Sequence, residues 1–131
     1  MGWRRLSVLL DSHALVWWLT GGKALTKVAE QLIDNEDAFV SSASAYEIAL
    51  KAGRGKWPEA LPLVQSFAAV CKRNKLVLLP ISLEHALAAA AIASQHRDPF
   101  DRLLAAQARI ENMSLISIDP VMKTLGCQVV W

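Results

Sequence analysis

The stretch Leu6-Ser7-Val8-Leu9-Leu10-Asp11 decides the fold of this chain. It is a short apolar run that ends in a carboxylate, and such runs are typical of strands buried inside a parallel sheet. The run Leu115-Ile116-Ser117-Ile118-Asp119 ends in the same way. A carboxylate at the end of a buried strand costs free energy unless it has a partner or a use. The two stretches therefore predict two buried strands, each followed by an acid that caps a helix, marks a turn or belongs to a site.

The rest of the chain alternates between helical and strand patterns. Further strands are predicted at residues 38–40, 76–79 and 128–131, and helices at 13–19, 26–35, 44–51, 61–74, 83–94 and 100–110. The expected N-caps are Ser12, Thr26, Ser44, Ser82 and Asp98, and Ser44 with Glu47 has the spacing of a capping box. Strands that alternate with helices favour an α/β fold, with a mostly parallel sheet of about five strands covered on both faces.

Length and composition exclude several classes of protein. The 131 residues predict one domain over 1–131, and 53% hydrophobic with 20% charged residues is a globular composition. A net charge of +2 is not that of a protein that binds nucleic acid by charge alone. Cys71 and Cys127 have no metal-ligand spacing, and no apolar run is long enough to cross a membrane. We therefore expect a soluble, cytoplasmic protein with reduced thiols.

Four acids could converge at one edge of the predicted sheet. Asp11 and Asp119 follow strands, whereas Glu47 and Asp101 lie in the first turns of predicted helices. Ligands of open parallel sheets bind beyond the carboxyl ends of the strands. Clustered carboxylates raise one another's pKa, and a divalent cation relieves that repulsion. Oxygen-only ligands favour Mg²⁺ or Mn²⁺ over zinc, so the pattern indicates a hard-metal site for phosphodiester hydrolysis.

Each acid also has a purely structural interpretation. Asp11 could cap the helix after the first strand, and Asp119 before a proline could be a turn residue. Glu47 could serve only a capping box or pair with Lys51 four residues later. Asp101 could simply favour the N-terminus of its helix. For any single acid, a structural role is more common than metal ligation. It is less common for all four acids to have only structural roles.

The sequence does not decide the roles of the basic and aromatic residues near the acids. Lys51, Arg54 and Lys56 could contact RNA phosphates or an acidic partner, or form a solvated helix end. Arg102 could bind substrate or anchor the acids. For His13 and His96 a packing or hydrogen-bonding role is favoured over acid–base chemistry. The tryptophans that could stack on bases, pack, or form a groove for a partner are Trp17, Trp18 and Trp57.

Four motifs, in order along the chain, resemble those of PIN-domain nucleases, in the variant found in VapC-like toxins of bacterial toxin–antitoxin pairs. The first is Leu9-Leu10-Asp11-Ser12-His13-Ala14-Leu15-Val16-Trp17-Trp18, and the second is Val40-Ser41-Ser42-Ala43-Ser44-Ala45-Tyr46-Glu47-Ile48-Ala49-Leu50-Lys51. The third is His96-Arg97-Asp98-Pro99-Phe100-Asp101-Arg102-Leu103-Leu104-Ala105-Ala106-Gln107-Ala108, and the fourth is Leu115-Ile116-Ser117-Ile118-Asp119. Ser12 stands where threonine is common, and Ile118 where a polar residue is frequent.

The resemblance implies a three-layer α/β/α sandwich and a Mg²⁺- or Mn²⁺-dependent ribonuclease. By matching positions, it implies that Asp11, Glu47, Asp101 and Asp119 are the catalytic, metal-binding acids, with Asp98 favoured as a helix cap. It also implies an RNA substrate, a cognate VapB-like antitoxin and a homodimer. Contacts with RNA or antitoxin are expected from Ser12, Lys51, Arg54 and Arg102.

The alternative is a PIN-like binding module without catalysis, whose acids serve structure. The presence of all four acids argues against it. A dehalogenase-like phosphatase would carry a second aspartate two residues after Asp11, where this chain has His13.

Overall fold

The computed structural model describes residues 6–22 and 24–131. Within them, five parallel strands form one sheet in the order β3-β2-β1-β4-β5. The strands are β1 Ser7–Leu10, β2 Asp37–Ser41, β3 Val77–Leu79, β4 Ser114–Ile116 and β5 Val129–Val130. The expected α/β fold is confirmed, and this sheet is wholly parallel.

Helices cover both faces of the sheet. They are α1 Ser12–Thr20, α2 Lys27–Asn35, α3 Ser42–Gly53, α4 Leu61–Gln65, α5 Phe67–Arg73, α6 Leu83–Ala91 and α7 Pro99–Ile110, with 3-10 turns at Pro58–Ala60 and Pro120–Leu125. Alternate side chains of β1 pack on opposite faces of the sheet. Val8 and Leu10 belong to the core with α1, α2 and α3, whereas Leu9 belongs to the core with α6 and α7. This arrangement makes three layers.

The central position of β1 explains why its sequence is continuously apolar. Val8, Leu9 and Leu10 are all buried, because β2 and β4 flank the strand and helices cover it above and below. Leu10 is in register with Ile116 of β4, and the Asp11 amide donates to the Ile116 carbonyl at 3.1 Å. The carboxyl ends of β1 and β4 therefore lie side by side, which brings Asp11 next to the segment that follows β4.

Two predicted N-caps are wrong. Asp11, rather than Ser12, caps α1, since its side chain accepts from the Ala14 amide. Helix α3 begins at Ser42 with Ser41 as its cap, so the capping box of Ser44 with Glu47 does not form. The register of β2 sets where α3 begins and places Glu47 beyond the first turn. The caps at Thr26, Ser82 and Asp98 are confirmed.

Two predicted helices differ in length from the structure. The helix expected over 61–74 is divided at Ser66, which leaves the helical region at φ −140° and ψ 40°. The break lets α4 contact α3 while α5 contacts β3. The helix expected to reach Ser94 ends at Ala91, with Ile92 as its C-cap. Across the described residues, no helix combines the length and apolar character needed to cross a bilayer.

Candidate active site

The four predicted acids line one cavity of about 500 Å³ at the carboxyl edge of the sheet. Asp11 follows β1, Glu47 lies on α3, Asp101 is in the first turn of α7, and Asp119 follows β4. The other residues that line the cavity are Ser12, His13, Trp17, Lys51, Asp98, Leu104, Ser117, Ile118 and Pro120. Four separate segments of the chain therefore place a carboxylate at the same opening.

Asp11 is both a helix cap and part of the cavity wall. Its Oδ1 accepts from the Ala14 amide at 2.8 Å, and its carboxyl group is hydrogen-bonded to Ser117. Burial raises the pKa of Asp11 above its usual value of 3.8, and the nearby Asp101 carboxylate adds to that rise. The capping interpretation and the site interpretation therefore coexist at this residue.

Glu47 is almost completely buried and is held at both carboxylate oxygens. The Ser12 hydroxyl donates to Oε1 at 2.5 Å, and Lys51 Nζ donates to Oε2 at 2.8 Å. The i,i+4 ion pair with Lys51, one of the structural alternatives for Glu47, is thus present. Ser12 is itself buried, so its hydroxyl serves Glu47 rather than a partner outside the protein. Arg54, just after α3, is not among the residues that line the cavity.

Asp101 lies against a histidine at the start of α7. Asp98 caps this helix, because its Oδ1 accepts from the amides of Phe100 and Asp101 at 2.9 and 3.2 Å. Oδ2 of Asp101 is 2.7 Å from His96 Nε2. Burial raises the pKa of Asp101, and the negative charges of Asp98 and Glu47 raise it further. Three carboxylates are therefore close enough for their charges to interact.

Asp119 stands at the exposed mouth of the cavity. Its Oδ1 accepts from the Val121 amide at 3.0 Å and caps the 3-10 turn that begins at Pro120. Its own amide donates to the Ser117 hydroxyl at 3.2 Å. Asp119 is therefore a turn residue whose carboxylate also faces the site.

The Arg102 guanidinium is used entirely within the protein. All five of its N–H groups donate to backbone carbonyls, those of Ala89, Ala90, Ile92, Ser94 and His96. This geometry favours the anchoring interpretation of Arg102 over a contact with RNA or antitoxin.

Sequence reasoning missed Ser117 and did not separate the two histidines. Ser117 is a buried polar residue that joins Asp11 to the Asp119 amide, and its position in an apolar run was the only signal. The His13 ring contacts the rings of Trp17 and Trp57 in tilted arrangements, at centroid distances of 5.4 and 4.8 Å. His96, in contrast, contacts an acid. Nothing in the local sequence distinguishes these two environments.

The cavity suits a divalent cation by the chemistry of its donors. Its acidic residues offer only oxygen, and burial and mutual repulsion raise the pKa of Asp11 and Asp101. The residues described do not form a ready-made shell, since no three Asp, Glu, His or Cys side chains among them stand close enough to hold an ion. Binding would require the carboxylates to move closer together, and the positive charge of the cation would offset the repulsion between them.

The chain thus combines a five-stranded parallel sheet with an acidic cavity at the carboxyl edge of that sheet. A PIN domain family model matches residues 8–126, and the chain belongs to the PIN domain family.

A curated relative and two solved structures resemble the chain over most of its length. Ribonuclease VapC22 of Mycobacterium tuberculosis (strain ATCC 25618 / H37Rv) is 31% identical over 114 residues, 86% of this chain and 87% of that protein. VapBC2 from Rickettsia felis, bound to a DNA fragment from its promoter, matches with TM-score 0.70 and 14% identity over 95% of this chain and 98% of that chain. A toxin–antitoxin complex from Klebsiella pneumoniae matches with TM-score 0.59 and 16% identity, over 86% of each chain. The structural likenesses confirm the α/β/α sandwich.

Proposed function

We propose that this chain is a single PIN domain that hydrolyses RNA phosphodiester bonds as a metal-dependent toxin. The observation that carries the proposal is the meeting of Asp11, Glu47, Asp101 and Asp119 in one cavity. The similarity to a ribonuclease VapC over most of both chains supports RNA as the substrate.

In this proposal Mg²⁺ or Mn²⁺ binds between the acids. Asp11 and Asp101, whose pKa values are raised mainly by burial and further by neighbouring carboxylates, would hold the principal ion. Glu47 orients a ligand water or adds an oxygen, and Asp119 completes the site at the mouth. A bound cation supplies activation of water and stabilisation of the leaving oxygen. Ser12 and Lys51 hold Glu47 in place through its two carboxylate oxygens.

The opening of the cavity suits a nucleotide chain. Lys51 lines it with a side chain that is 39% exposed, so the ammonium can reach a phosphate while it pairs with Glu47. Trp17 and His13 form an aromatic wall of the same cavity, which suits an unpaired base. Arg54 lies beyond α3 and would contact RNA or antitoxin only outside the cavity.

We also propose that the chain works with protein partners. The matched structures from Rickettsia felis and Klebsiella pneumoniae are described as VapBC2 and as a toxin–antitoxin complex, which supports a VapB-like antitoxin for this chain. A second copy of the chain is the other expected partner. In this scheme the antitoxin inhibits the nuclease.

The test is cleavage of a structured RNA pool by the purified protein in Mg²⁺, Mn²⁺ or EDTA. We expect cleavage with either metal, none in EDTA, and a loss of at least about 100-fold in the Asp11→Asn variant. Asp34→Asn is the matched control, since Asp34 is exposed on α2, away from the cavity. If the unsubstituted protein binds Mn²⁺ and RNA but cleaves nothing, the chain is a binding module.

A further inference from the structure

One side chain, that of Arg102, donates to carbonyls at both ends of the α6–α7 connection, which includes the loop of residues 92–98. Arg102 Nε donates to the Ala89 carbonyl at 3.0 Å, and Nη2 donates to those of Ala90 and Ile92 at 3.2 and 2.6 Å. These carbonyls lie at the end of α6, where a helix leaves its acceptors without partners. Arg102 therefore closes α6 and fixes the point at which the loop begins.

The same guanidinium also fixes the far part of the loop. Its Nη1 donates to the carbonyls of Ser94 and His96 at 3.3 and 2.9 Å. The His96 amide in turn donates to the Ser94 hydroxyl at 3.1 Å. With five donors in one rigid plane, arginine can hold this set of carbonyls, whereas lysine has three donors on a flexible stem. The backbone of His96 is thereby fixed from both sides.

The fixed backbone places the His96 ring against Asp101. Nε2 lies 2.7 Å from Oδ2 of the carboxylate, with both side chains only about one-quarter exposed. Among the described residues, no hydrogen bond reaches Oδ1 of Asp101. The imidazole thus restricts rotation of the carboxylate and leaves one oxygen without a protein partner.

We propose that His96 is a positioning residue that orients Asp101 for the cation, and that Arg102 sets His96 through the 92–98 loop. This inference rests on the proposed function, because it requires a cation at Asp101. Hydrogen-bond partners of metal-ligating side chains commonly change metal affinity by about 10- to 100-fold when they are removed. Arg102 follows Asp101 directly on α7. Adjacent residues therefore supply the proposed metal ligand and the side chain that fixes His96, which orients that ligand.

The test measures Mn²⁺ binding to the purified, RNA-free protein, by calorimetry and by the electron paramagnetic resonance signal of free Mn²⁺. We expect His96→Leu to weaken binding roughly 10-fold, because it removes the donor. His96→Gln places an amide nitrogen near the position of Nε2, and its affinity should stay within about threefold of the unsubstituted protein. A role of His96 in packing alone predicts equal losses in the two variants, which would overturn the inference.

Arg102→Lys tests the second half of the proposal. We expect faster amide hydrogen exchange in residues 92–98 and weaker Mn²⁺ binding, in a protein that still unfolds cooperatively. Both changes act through one contact, so their effects on Mn²⁺ affinity should not add. The double variant, Arg102→Lys with His96→Leu, should bind Mn²⁺ within about twofold of whichever single variant binds it less tightly. Arg73→Lys, on the exposed end of α5, is the matched control and should change neither quantity.

The outcomes separate this inference from the proposed function. If the unsubstituted protein binds Mn²⁺ and His96→Leu binds it equally well, the positioning role is wrong and the nuclease proposal stands. Fully additive losses in the double variant would contradict the link through Arg102. If the unsubstituted protein binds no Mn²⁺ at millimolar concentration, both proposals fail.

Discussion

Ionisation of the Asp11 carboxyl group lowers the stability of the fold, whereas the proposed metal site requires the ionised form. Burial and the neighbouring Asp101 charge raise its pKa, so the folded protein disfavours the ionised form. Because the pKa is higher in the folded than in the unfolded state, the folded state binds more protons between the two values. The free energy of unfolding therefore falls as pH rises from the unfolded value of 3.8 through the folded pKa.

The first prediction concerns Asp11→Asn in the metal-free protein. Asparagine keeps an oxygen that accepts from the Ala14 amide but carries no charge, so the variant should melt at a higher temperature than the unsubstituted protein at pH 7 in EDTA. The difference should shrink as pH is lowered toward 3.8. Calorimetry across this range checks it. A variant less stable at every pH would mean that the amide cannot replace the carboxylate as acceptor.

A second prediction at this scale concerns Ser12 and Glu47. Ser12→Ala removes the donor to a buried carboxylate oxygen and should lower the free energy of unfolding by about 1–3 kcal/mol. Ser12→Thr keeps the hydroxyl and should lose less. Urea unfolding of the two variants gives the comparison. Equal losses would show that volume, rather than the hydrogen bond, decides stability at this site.

The sequence predicts individual acids better than it predicts their partners. The positions of Asp11 and Asp119 follow from where apolar runs end, which is local information. The contact of His96 with Asp101 depends on a loop conformation that Arg102 sets through distant carbonyls. The apolar run places Ser117 within a strand, whereas β4 ends at Ile116. Such contacts require the folded backbone before they can be recognised.

At the scale of elements, α6 and α7 are joined by a buried histidine. His85 Nδ1 accepts from the Ser82 amide at 3.0 Å and the Ser82 hydroxyl accepts from the His85 amide, which makes a capping box. His85 Nε2 lies 2.8 Å from Glu111, just after α7, and Gln107 Nε2 is 3.3 Å from Nδ1. One imidazole therefore caps one helix and ties it to the end of another.

The third prediction is that His85→Ala destabilises the protein more than loss of the cap alone. Ser82→Ala should cost about 1 kcal/mol, as N-cap removal usually does. His85→Ala also loses the bond to Glu111 and leaves a buried gap, so it should cost roughly 2–4 kcal/mol. Urea unfolding measures both. A similar cost for the two variants would mean that neither the Glu111 contact nor the burial of the imidazole adds to the stability that the cap provides.

The element-scale errors share a physical cause. The segment Ser41-Ser42-Ala43-Ser44 offers three serines that could each cap a helix, and local chemistry does not choose among them. The choice is made by β2, which extends to Ser41 because it pairs with β3. The division at Ser66 likewise follows from contacts of α4 and α5 with different neighbours. Element types were predictable because apolar patterning is local, whereas these boundaries depend on tertiary pairing.

At the scale of the whole molecule, the proposed cation site would couple metal binding to global stability. The fourth prediction is that Mg²⁺ or Mn²⁺ raises the melting temperature, since an ion bound only by the folded state stabilises it by about 2.7 kcal/mol at 100 times its Kd. Asp101→Asn should lose most of this shift, and Asp34→Asn should keep it. Thermal unfolding with and without metal gives the result. An undiminished shift in Asp101→Asn would place the ion elsewhere.

The order of strands in the sheet has a consequence for synthesis on the ribosome. Among the described strands β1 is synthesised first, but one of its two neighbours, β4, is synthesised much later, since Val8 pairs with Ser114. Asp101 and Asp119 are also among the later residues to emerge. A nascent chain that ends before Asp101 carries Asp11 and Glu47 but lacks Asp101 and Asp119, which line the same cavity. If the chain is the proposed nuclease, a product that terminates before Asp101 lacks two of the four acids of the site and is expected not to cleave RNA.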